Sequence, residues 1–211
     1  MAATTASRSN ESDDEGPPEL SDYAKAALEE FLREREKQEK GPVPEEDWQL
    51  SQFWYSDETA VALAKEVMRA AGTDGAIACI SCPTLYAKLR ELGCTNELKL
   101  LEYDRRFECY GEDFLYYDYN APLQIPSDWQ GRFTVVVLDP PFLSEECLSK
   151  TSETVKFLQP TFIILCTGAV MESLAEQLLG LQPCKFKPTH TRKLGNEFKC
   201  FANYNLDEFC C

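Results

Sequence analysis

Apolar segments of strand length alternate with helix-like segments along most of this chain, and this alternation restricts the fold more than any other feature. The strand-like segments are residues 75–81, 97–104, 113–119, 133–139 and 161–168. The fourth, FTVVVLD, is apolar almost throughout and rich in valine. Continuously apolar strands are typical of parallel sheets that helices cover on both faces. The sequence therefore predicts an α/β fold with a doubly wound, mostly parallel sheet.

The C-terminal residues interrupt this alternation. FKPTHTRKL (186–194) and EFKCFANYN (197–205) flank Gly195-Asn196, and two such segments around a turn are typical of a β-hairpin. A hairpin here would make the last strand of the sheet antiparallel to the others.

The N-terminal residues differ in composition from the rest of the chain. Residues 1–18 are small, polar and acidic, which predicts a disordered tail. Residues 19–47 contain a helix-like stretch followed by a linker. We therefore assign the folded domain to residues 48–211.

Charge and hydropathy restrict the partners and the compartment. The chain has 21 Lys and Arg against 36 Asp and Glu, a net charge of −15 at pH 7. Such a chain repels phosphate backbones, which argues against a nucleic acid and favours a basic protein as partner. No apolar run approaches the ~20 residues of a membrane-spanning helix, and no signal-peptide pattern begins the chain. We expect a cytoplasmic monomer without membrane attachment.

The ten cysteines and the single histidine limit the chemistry. Cys79 and Cys82 form a CxxC pair inside an apolar strand pattern, and no second pair lies at zinc-finger spacing. We expect reduced, mostly buried thiols and no metal site. Because His190 is the only histidine, Ser-His-Asp and Cys-His catalysis are disfavoured.

The carboxyl ends of the strands are where an open α/β sheet binds its ligands. The residues at these ends are Ser81, Cys82 and Pro83 (first strand), Glu102 and Asp104 (second), Asp118 and Tyr119 (third), and Asp139, Pro140, Pro141 and Phe142 (fourth). The aromatic segment QFWYS, which contains Trp54 and Tyr55, precedes the first strand. By itself DPPF would fit a rigid strand-to-helix turn as well as it fits a site. Its position after an apolar strand, with acids at the other strand ends, favours an active site.

This arrangement resembles the class I S-adenosylmethionine-dependent methyltransferases, and DPPF resembles their amine-methylation motif, named first in adenine-N6 DNA methylation. QFWYS, ISCPTLY (80–86), LLEYDRRF (100–107) and DPPF together resemble a smaller family, formerly assigned to adenine-N6 methylation and now associated with lysine methylation of translation elongation factor 1-alpha. The resemblance covers roughly residues 48–204. It implies a Rossmann-like, seven-stranded sheet with a C-terminal antiparallel hairpin, S-adenosylmethionine as cofactor, and elongation factor 1-alpha as substrate.

The resemblance also implies roles for the candidate residues. Asp139 and the Pro140 carbonyl would accept hydrogen bonds from the target nitrogen, the prolines would stiffen the loop, and Phe142 would pack against the target. Trp54 and Tyr55 would line a lysine channel. The cofactor would contact the remaining candidates: Ser81, Cys82 and Pro83 by its methionine part, Asp104 or Glu102 by its ribose, and Asp118 and Tyr119 by its adenine, with Asp139 nearby.

The first loop departs from the class. Most members have glycines there, where this chain has Ser81, Pro83 and Leu85, with Cys79 in place of the usual acid. Two alternatives therefore stay open. An adenine-N6 methyltransferase would share DPPF but would need a basic groove and a base-flipping pocket. The second alternative is a non-catalytic binding module on a methyltransferase fold, and the glycine-poor loop supports this interpretation.

Overall fold

The computed structural model describes residues 43–208 together with Ala24, Lys25 and Leu28. The chain divides into two compact units, Met1–Lys40 and Gly41–Cys211. In the first unit the three described residues are helical, as predicted for that stretch. The predicted tail at residues 1–18 lies outside the described residues, and the domain boundaries stay predictions. No helix within the described part is long and apolar enough to cross a bilayer.

The second unit is built on a seven-stranded sheet with the order β3-β2-β1-β4-β5-β7-β6. The strands are β1 (Ala76–Ile80), β2 (Leu98–Glu102), β3 (Phe114–Tyr116), β4 (Phe133–Leu138), β5 (Phe162–Gly168), β6 (Gln182–Pro183) and β7 (Phe198–Ala202). The first five pair in parallel, whereas β7 is antiparallel to both β5 and β6. The predicted α/β fold with a mostly parallel sheet and antiparallel C-terminal strands is confirmed.

Helices cover both faces of this sheet. They are α1 (Asp57–Ala71), α2 (Pro83–Glu91), α3 (Glu145–Leu158) and α4 (Glu172–Leu179). Serine caps begin two of them, since Ser56 accepts a hydrogen bond from the Thr59 N–H and Ser144 accepts one from the Cys147 N–H. The helices bury the sheet because their apolar faces have no other surface to pack against.

The residues of β1 show why its apolar pattern is continuous. Ile77 and Cys79 belong to one hydrophobic cluster, while Ala78 and Ile80 belong to a second cluster across the sheet. Successive side chains of a strand point to opposite faces, so a strand buried on both faces needs an apolar residue at every position.

The C-terminal hairpin differs from the prediction. The partner of β7 is β6, with Pro183 opposite Phe201, and residues 186–194 form no strand beside β7. That segment contains Pro188, which has no N–H to donate to a ladder. Instead it pairs with the QFWYS segment through an antiparallel bridge between Tyr55 and His190. The interpretation of Gly195-Asn196 as the turn of a hairpin was therefore wrong.

Candidate functional site

A cavity of about 550 Å³ opens beyond the carboxyl ends of β1, β2 and β4. Strand order reverses between β1 and β4, and this switch point is where open α/β sheets bind ligands. The volume falls within the range of roughly 300–1,000 Å³ that is usual for small-molecule sites. The cavity is therefore the candidate functional site.

Most of the residues predicted from the sequence line this cavity. They are Trp54, Tyr55, Ser81, Cys82, Pro83, Glu102, Asp118, Tyr119, Asp139, Pro140, Pro141 and Phe142. Asp104 is the exception, because it is absent from the lining. The fold thus brings together side chains from four strand ends and from the aromatic segment before β1.

The two acids at the end of β2 have different surroundings. The strand ends at Glu102, whose buried carboxyl lines the cavity and accepts a hydrogen bond from the Asp104 N–H at 3.0 Å. Burial raises the pKa of Glu102 to about 7. Its position makes Glu102, the alternative considered from the sequence, the acid that a bound ligand would meet.

The Asp104 carboxylate is already occupied by protein groups. It accepts hydrogen bonds from Arg106 Nε and Gln52 Nε2, both at 2.9 Å. Burial alone would raise the pKa of Asp104, but the hydrogen bonds from Arg106 and Gln52 outweigh it and lower the pKa. Through its hydrogen bond with Gln52, Asp104 therefore holds the QFWYS segment against the end of β2.

The loop after β1 adopts a conformation that usually requires glycine. Ser81 has a φ of 55°, in the left-handed region, and its N–H donates to the Leu101 carbonyl at 2.9 Å. A residue with a Cβ costs of order 1 kcal/mol there. Cys82 follows, and Pro83 begins α2, whose N-terminus carries no side-chain cap. This loop thus reaches a positive φ without glycine.

The DPPF motif begins where β4 ends. The Asp139 N–H donates to the Ile80 carbonyl at 3.0 Å, which ties the motif to β1. Burial raises the pKa of Asp139 to about 7; the Tyr55 hydroxyl lowers it in part, and the charge of Glu102 raises it further. Phe142 is 42 % exposed and lies edge-on to Tyr119, with ring centroids 6.0 Å apart. An acid of near-neutral pKa therefore lies behind an aromatic entrance.

The third strand is shorter than predicted, so that the candidate residues Asp118 and Tyr119 lie outside the strand. β3 ends at Tyr116, and Asp118 Oδ1 accepts a hydrogen bond from the Asn120 N–H at 2.8 Å in a local turn. Since the chain leaves the sheet before Asp118, Asp118 and Tyr119 belong to the cavity wall.

The wall formed by residues 190–198 is the part of the site that sequence reasoning missed. His190, Leu194, Gly195, Asn196 and Phe198 line the cavity. The His190 ring lies 5.4 Å from Tyr55 and 4.8 Å from Phe198, and burial lowers its pKa against the charge of Glu46. No local pattern signals this wall, because it depends on pairing with residues more than a hundred positions earlier.

Thiol chemistry has little support at this site. Cys79 and Cys82 are buried as free thiols, and burial raises the pKa of Cys82 well above its usual value. A protonated thiol is a poor nucleophile and a poor metal ligand. Across residues 43–208, no group of three or more His, Cys, Asp or Glu side chains is arranged to hold a metal ion.

Comparison with known proteins adds evidence from sequence. A family model described as "Probable N6-adenine methyltransferase" matches residues 46–206. The proteins named EEF1A lysine methyltransferase 1 from Bos taurus and Homo sapiens are 53 % and 52 % identical to this chain. The alignments cover 95 % and 94 % of this chain and 94 % and 97 % of those proteins. A protein-lysine N-methyltransferase of Drosophila melanogaster is 42 % identical over 87 % of this chain and 93 % of its own length.

Solved structures agree on the fold. A branched-chain polyamine synthase from Thermus thermophilus has a TM-score of 0.57 at 15 % identity, over 83 % of this chain and 62 % of that one. A protein assigned to the class I S-adenosylmethionine-dependent methyltransferases of Listeria monocytogenes has a TM-score of 0.50 at 12 % identity, over 86 % of this chain and 68 % of that one. The chain belongs to the EEF1A lysine methyltransferase 1 family, whose family model carries the description "Probable N6-adenine methyltransferase".

Proposed function

We propose that this protein transfers a methyl group from S-adenosylmethionine to a lysine side chain of translation elongation factor 1-alpha. The observation that carries the proposal is the identity of 52–53 % to the bovine, mouse and human EEF1A lysine methyltransferase 1 proteins along almost the whole chain. The acidic charge of the chain, −15, would favour the approach of a basic protein.

The reaction requires a neutral lysine, and Asp139 can help to provide it. An amine attacks through its lone pair, but a lysine of pKa ~10.4 is almost entirely protonated at neutral pH. Asp139 has a pKa of about 7. The difference between its pKa and that of lysine is therefore about 3 units smaller than for an ordinary Asp. Proton transfer from the ammonium to the carboxylate is therefore ~4 kcal/mol less unfavourable. The carbonyl oxygen of the protonated carboxyl group, with the Pro140 carbonyl, would then accept hydrogen bonds from the neutral amine and orient its nitrogen.

The described residues fit the cofactor. Glu102, 6 % exposed and facing the cavity, is the acid we assign to the ribose hydroxyls. Ser81, Cys82 and Pro83 would approach the methionine part, and the turn at Asp118 and Tyr119 would receive the adenine. When bound, S-adenosylmethionine supplies an electrophilic methyl on a sulfonium. The buried carboxyl of Glu102 at a strand end is the feature that favours this fit. Burying a carboxyl group without a partner costs free energy, so its burial is explained by a ligand that binds to it.

The lysine channel would be aromatic. Phe142 is partly exposed at the entrance of the cavity, and Trp54 is held by a hydrogen bond from its Nε1 to the Pro44 carbonyl at 2.8 Å. Aromatic faces attract a cation, which favours the entry of the ammonium. The exclusion of water disfavours the charged form, which favours the later loss of a proton.

The test is methylation of elongation factor 1-alpha isolated from cells that lack this enzyme. We expect incorporation of labelled methyl at a lysine, located by mass spectrometry, and its loss in Asp139→Ala. Tyr204→Phe, a substitution outside the cavity, is the matched control. Absence of lysine methylation by wild-type protein with bound cofactor would refute the proposal.

Adenine-N6 methylation is the second candidate, because the matching family model carries that description. Label in nuclease-sensitive material rather than in protein would favour it. Titration calorimetry with S-adenosylmethionine separates both enzymes from a non-catalytic module: no binding at high micromolar cofactor would leave only the module.

A further inference from the structure

The hydroxyl of Tyr55 is a buried polar group without an assigned partner. The residue is 3 % exposed, and among the described residues no atom meets ordinary hydrogen-bond distance and angle with its Oη. Such groups are rare, because leaving a buried donor unpaired costs about 1–3 kcal/mol and phenylalanine would avoid that cost. The oxygen therefore calls for a reason beyond packing.

Tyr55 and Asp139 line the same cavity, and Asp139 is the acid whose charge acts on the Tyr55 hydroxyl. Burial first, and then the charge of Asp139, raise the pKa of Tyr55 well above its usual value, so the phenol stays protonated and able to donate. In the other direction, a hydrogen bond from this hydroxyl opposes the effect of burial on the Asp139 pKa. The contact is therefore long or poorly aligned in the free protein, although it already affects the carboxyl.

Two backbone hydrogen bonds hold Tyr55 against the cavity. The Ser56 N–H donates to the Thr189 carbonyl at 2.9 Å, and the Thr191 N–H donates to the Trp54 carbonyl at 2.8 Å. The Tyr55 ring also contacts the His190 ring, with centroids 5.4 Å apart. With its backbone held on both sides and its ring packed against His190, Tyr55 can direct a neighbouring group, because little of its conformational freedom is left to lose.

We propose that Tyr55 is a positioning residue whose hydroxyl donates a hydrogen bond to the Asp139 carboxylate and leaves the other carboxylate oxygen facing the substrate nitrogen. This inference rests on the proposed function. The bond tightens when a lysine enters, as catalytic hydrogen bonds commonly do on substrate binding. Donation from Tyr55 keeps Asp139 ionised and prevents the carboxylate from rotating away from the amine.

Other groups near Asp139 could disturb its titration. Cys82, at the start of α2, and Cys166, on β5, both act on the Tyr55 hydroxyl. Burial raises the pKa of Cys82 well above its usual value, so this thiol stays protonated near neutral pH. His190, whose ring contacts Tyr55, has its pKa lowered by burial. Glu102 titrates in the same range as Asp139, with a pKa of about 7. The titration of Asp139 is therefore measured in a Glu102→Gln background as well as in wild type.

The experiment is a ¹³C NMR titration of the Asp139 carboxyl in the full chain, with the signal identified by its loss in Asp139→Asn. We expect Tyr55→Phe to raise the midpoint by roughly 0.5–1 pH unit, since it removes a donor to the charged form. Tyr204→Phe is the control: its hydroxyl donates to Glu66 at 2.8 Å, outside the cavity. It should leave the Asp139 midpoint unchanged.

Kinetics supply an independent readout. Tyr55→Phe should lower kcat roughly tenfold, move the acidic limb of the kcat/KM profile upward by the same shift, and leave the Kd for S-adenosylmethionine unchanged. An unchanged Asp139 midpoint in Tyr55→Phe, or a loss of cofactor affinity that accounts for the lower rate, overturns the inference. If wild type methylates no lysine, the proposed function fails, while the NMR titration still decides whether Tyr55 directs Asp139.

A measurement in wild type covers the case in which Tyr55→Phe does not fold. Tyrosine is labelled with ¹³C at Cζ, and the Tyr55 signal is assigned by through-bond correlation. Its chemical shift should change with pH at the same midpoint as the Asp139 titration. Asp139→Asn should abolish that change. A Tyr55 signal whose chemical shift does not change as Asp139 titrates contradicts the proposal.

Discussion

Replacing Asp139 with asparagine should stabilise the folded chain at pH 8 while removing activity. The folded-state pKa of Asp139 is about 7 against an unperturbed 3.8, because burial penalises its charged form. A difference of about 3 units corresponds to at most ~4 kcal/mol. We expect roughly 1–3 kcal/mol, because the buried amide must also find hydrogen bonds.

The pH dependence distinguishes this effect from ordinary repacking. Since the folded-state pKa is raised, the contribution of Asp139 to wild-type stability is fully present below pH ~4 and is lost as the pH rises through about 7. Asp139→Asn has no such loss. Its advantage over wild type should therefore be small at pH 4, grow between pH 4 and 7, and stay constant above pH 7.

The assay is urea denaturation at several pH values, with Asp104→Asn as the matched control. The pKa of Asp104 is lowered, so its contribution is present above the unfolded-state pKa and is lost as the pH falls through the folded-state value. Asp104→Asn should cost roughly 1–3 kcal/mol at pH 8, because Arg106 and Gln52 lose a charged partner. An Asp139→Asn variant equally destabilised at every pH would refute the reasoning.

Three further predictions concern the cavity wall. Glu102→Gln should raise the Kd for S-adenosylmethionine about tenfold by calorimetry, through loss of a charged acceptor; an unchanged Kd would argue against the ribose role. Ser81→Val should cost roughly 1–2 kcal/mol in thermal unfolding, because a β-branched residue tolerates a positive φ poorly, whereas Ser81→Gly should be nearly neutral. Phe142→Ala should raise KM for the protein substrate about tenfold without changing cofactor affinity, and a weaker cofactor complex would contradict the channel assignment.

The strand ends were predictable because their signal is local. A strand buried on both faces needs unbroken apolar residues, as in β4, and the polar residue that follows marks where the strand leaves the core. Asp139 and Ser81 were identified in this way. Glu102 and Asp104 show the limit of the approach, since a difference of two residues in the end of β2 decides which acid faces the cavity.

The sequence by itself determined the fold class, the five alternating parallel strands and the strand ends from which Asp139 and Ser81 reach the cavity, because these follow from periodicity over a few residues. Only the tertiary structure decided that the Asp104 carboxylate accepts hydrogen bonds from Arg106 and Gln52, and that His190 pairs with Tyr55. The contacts of Gln52 with Asp104 and of Tyr55 with His190 join residues far apart in sequence, whereas Arg106 lies only two positions from Asp104. The two long-range contacts depend on what the completed sheet brings close together, and no local pattern encodes that proximity.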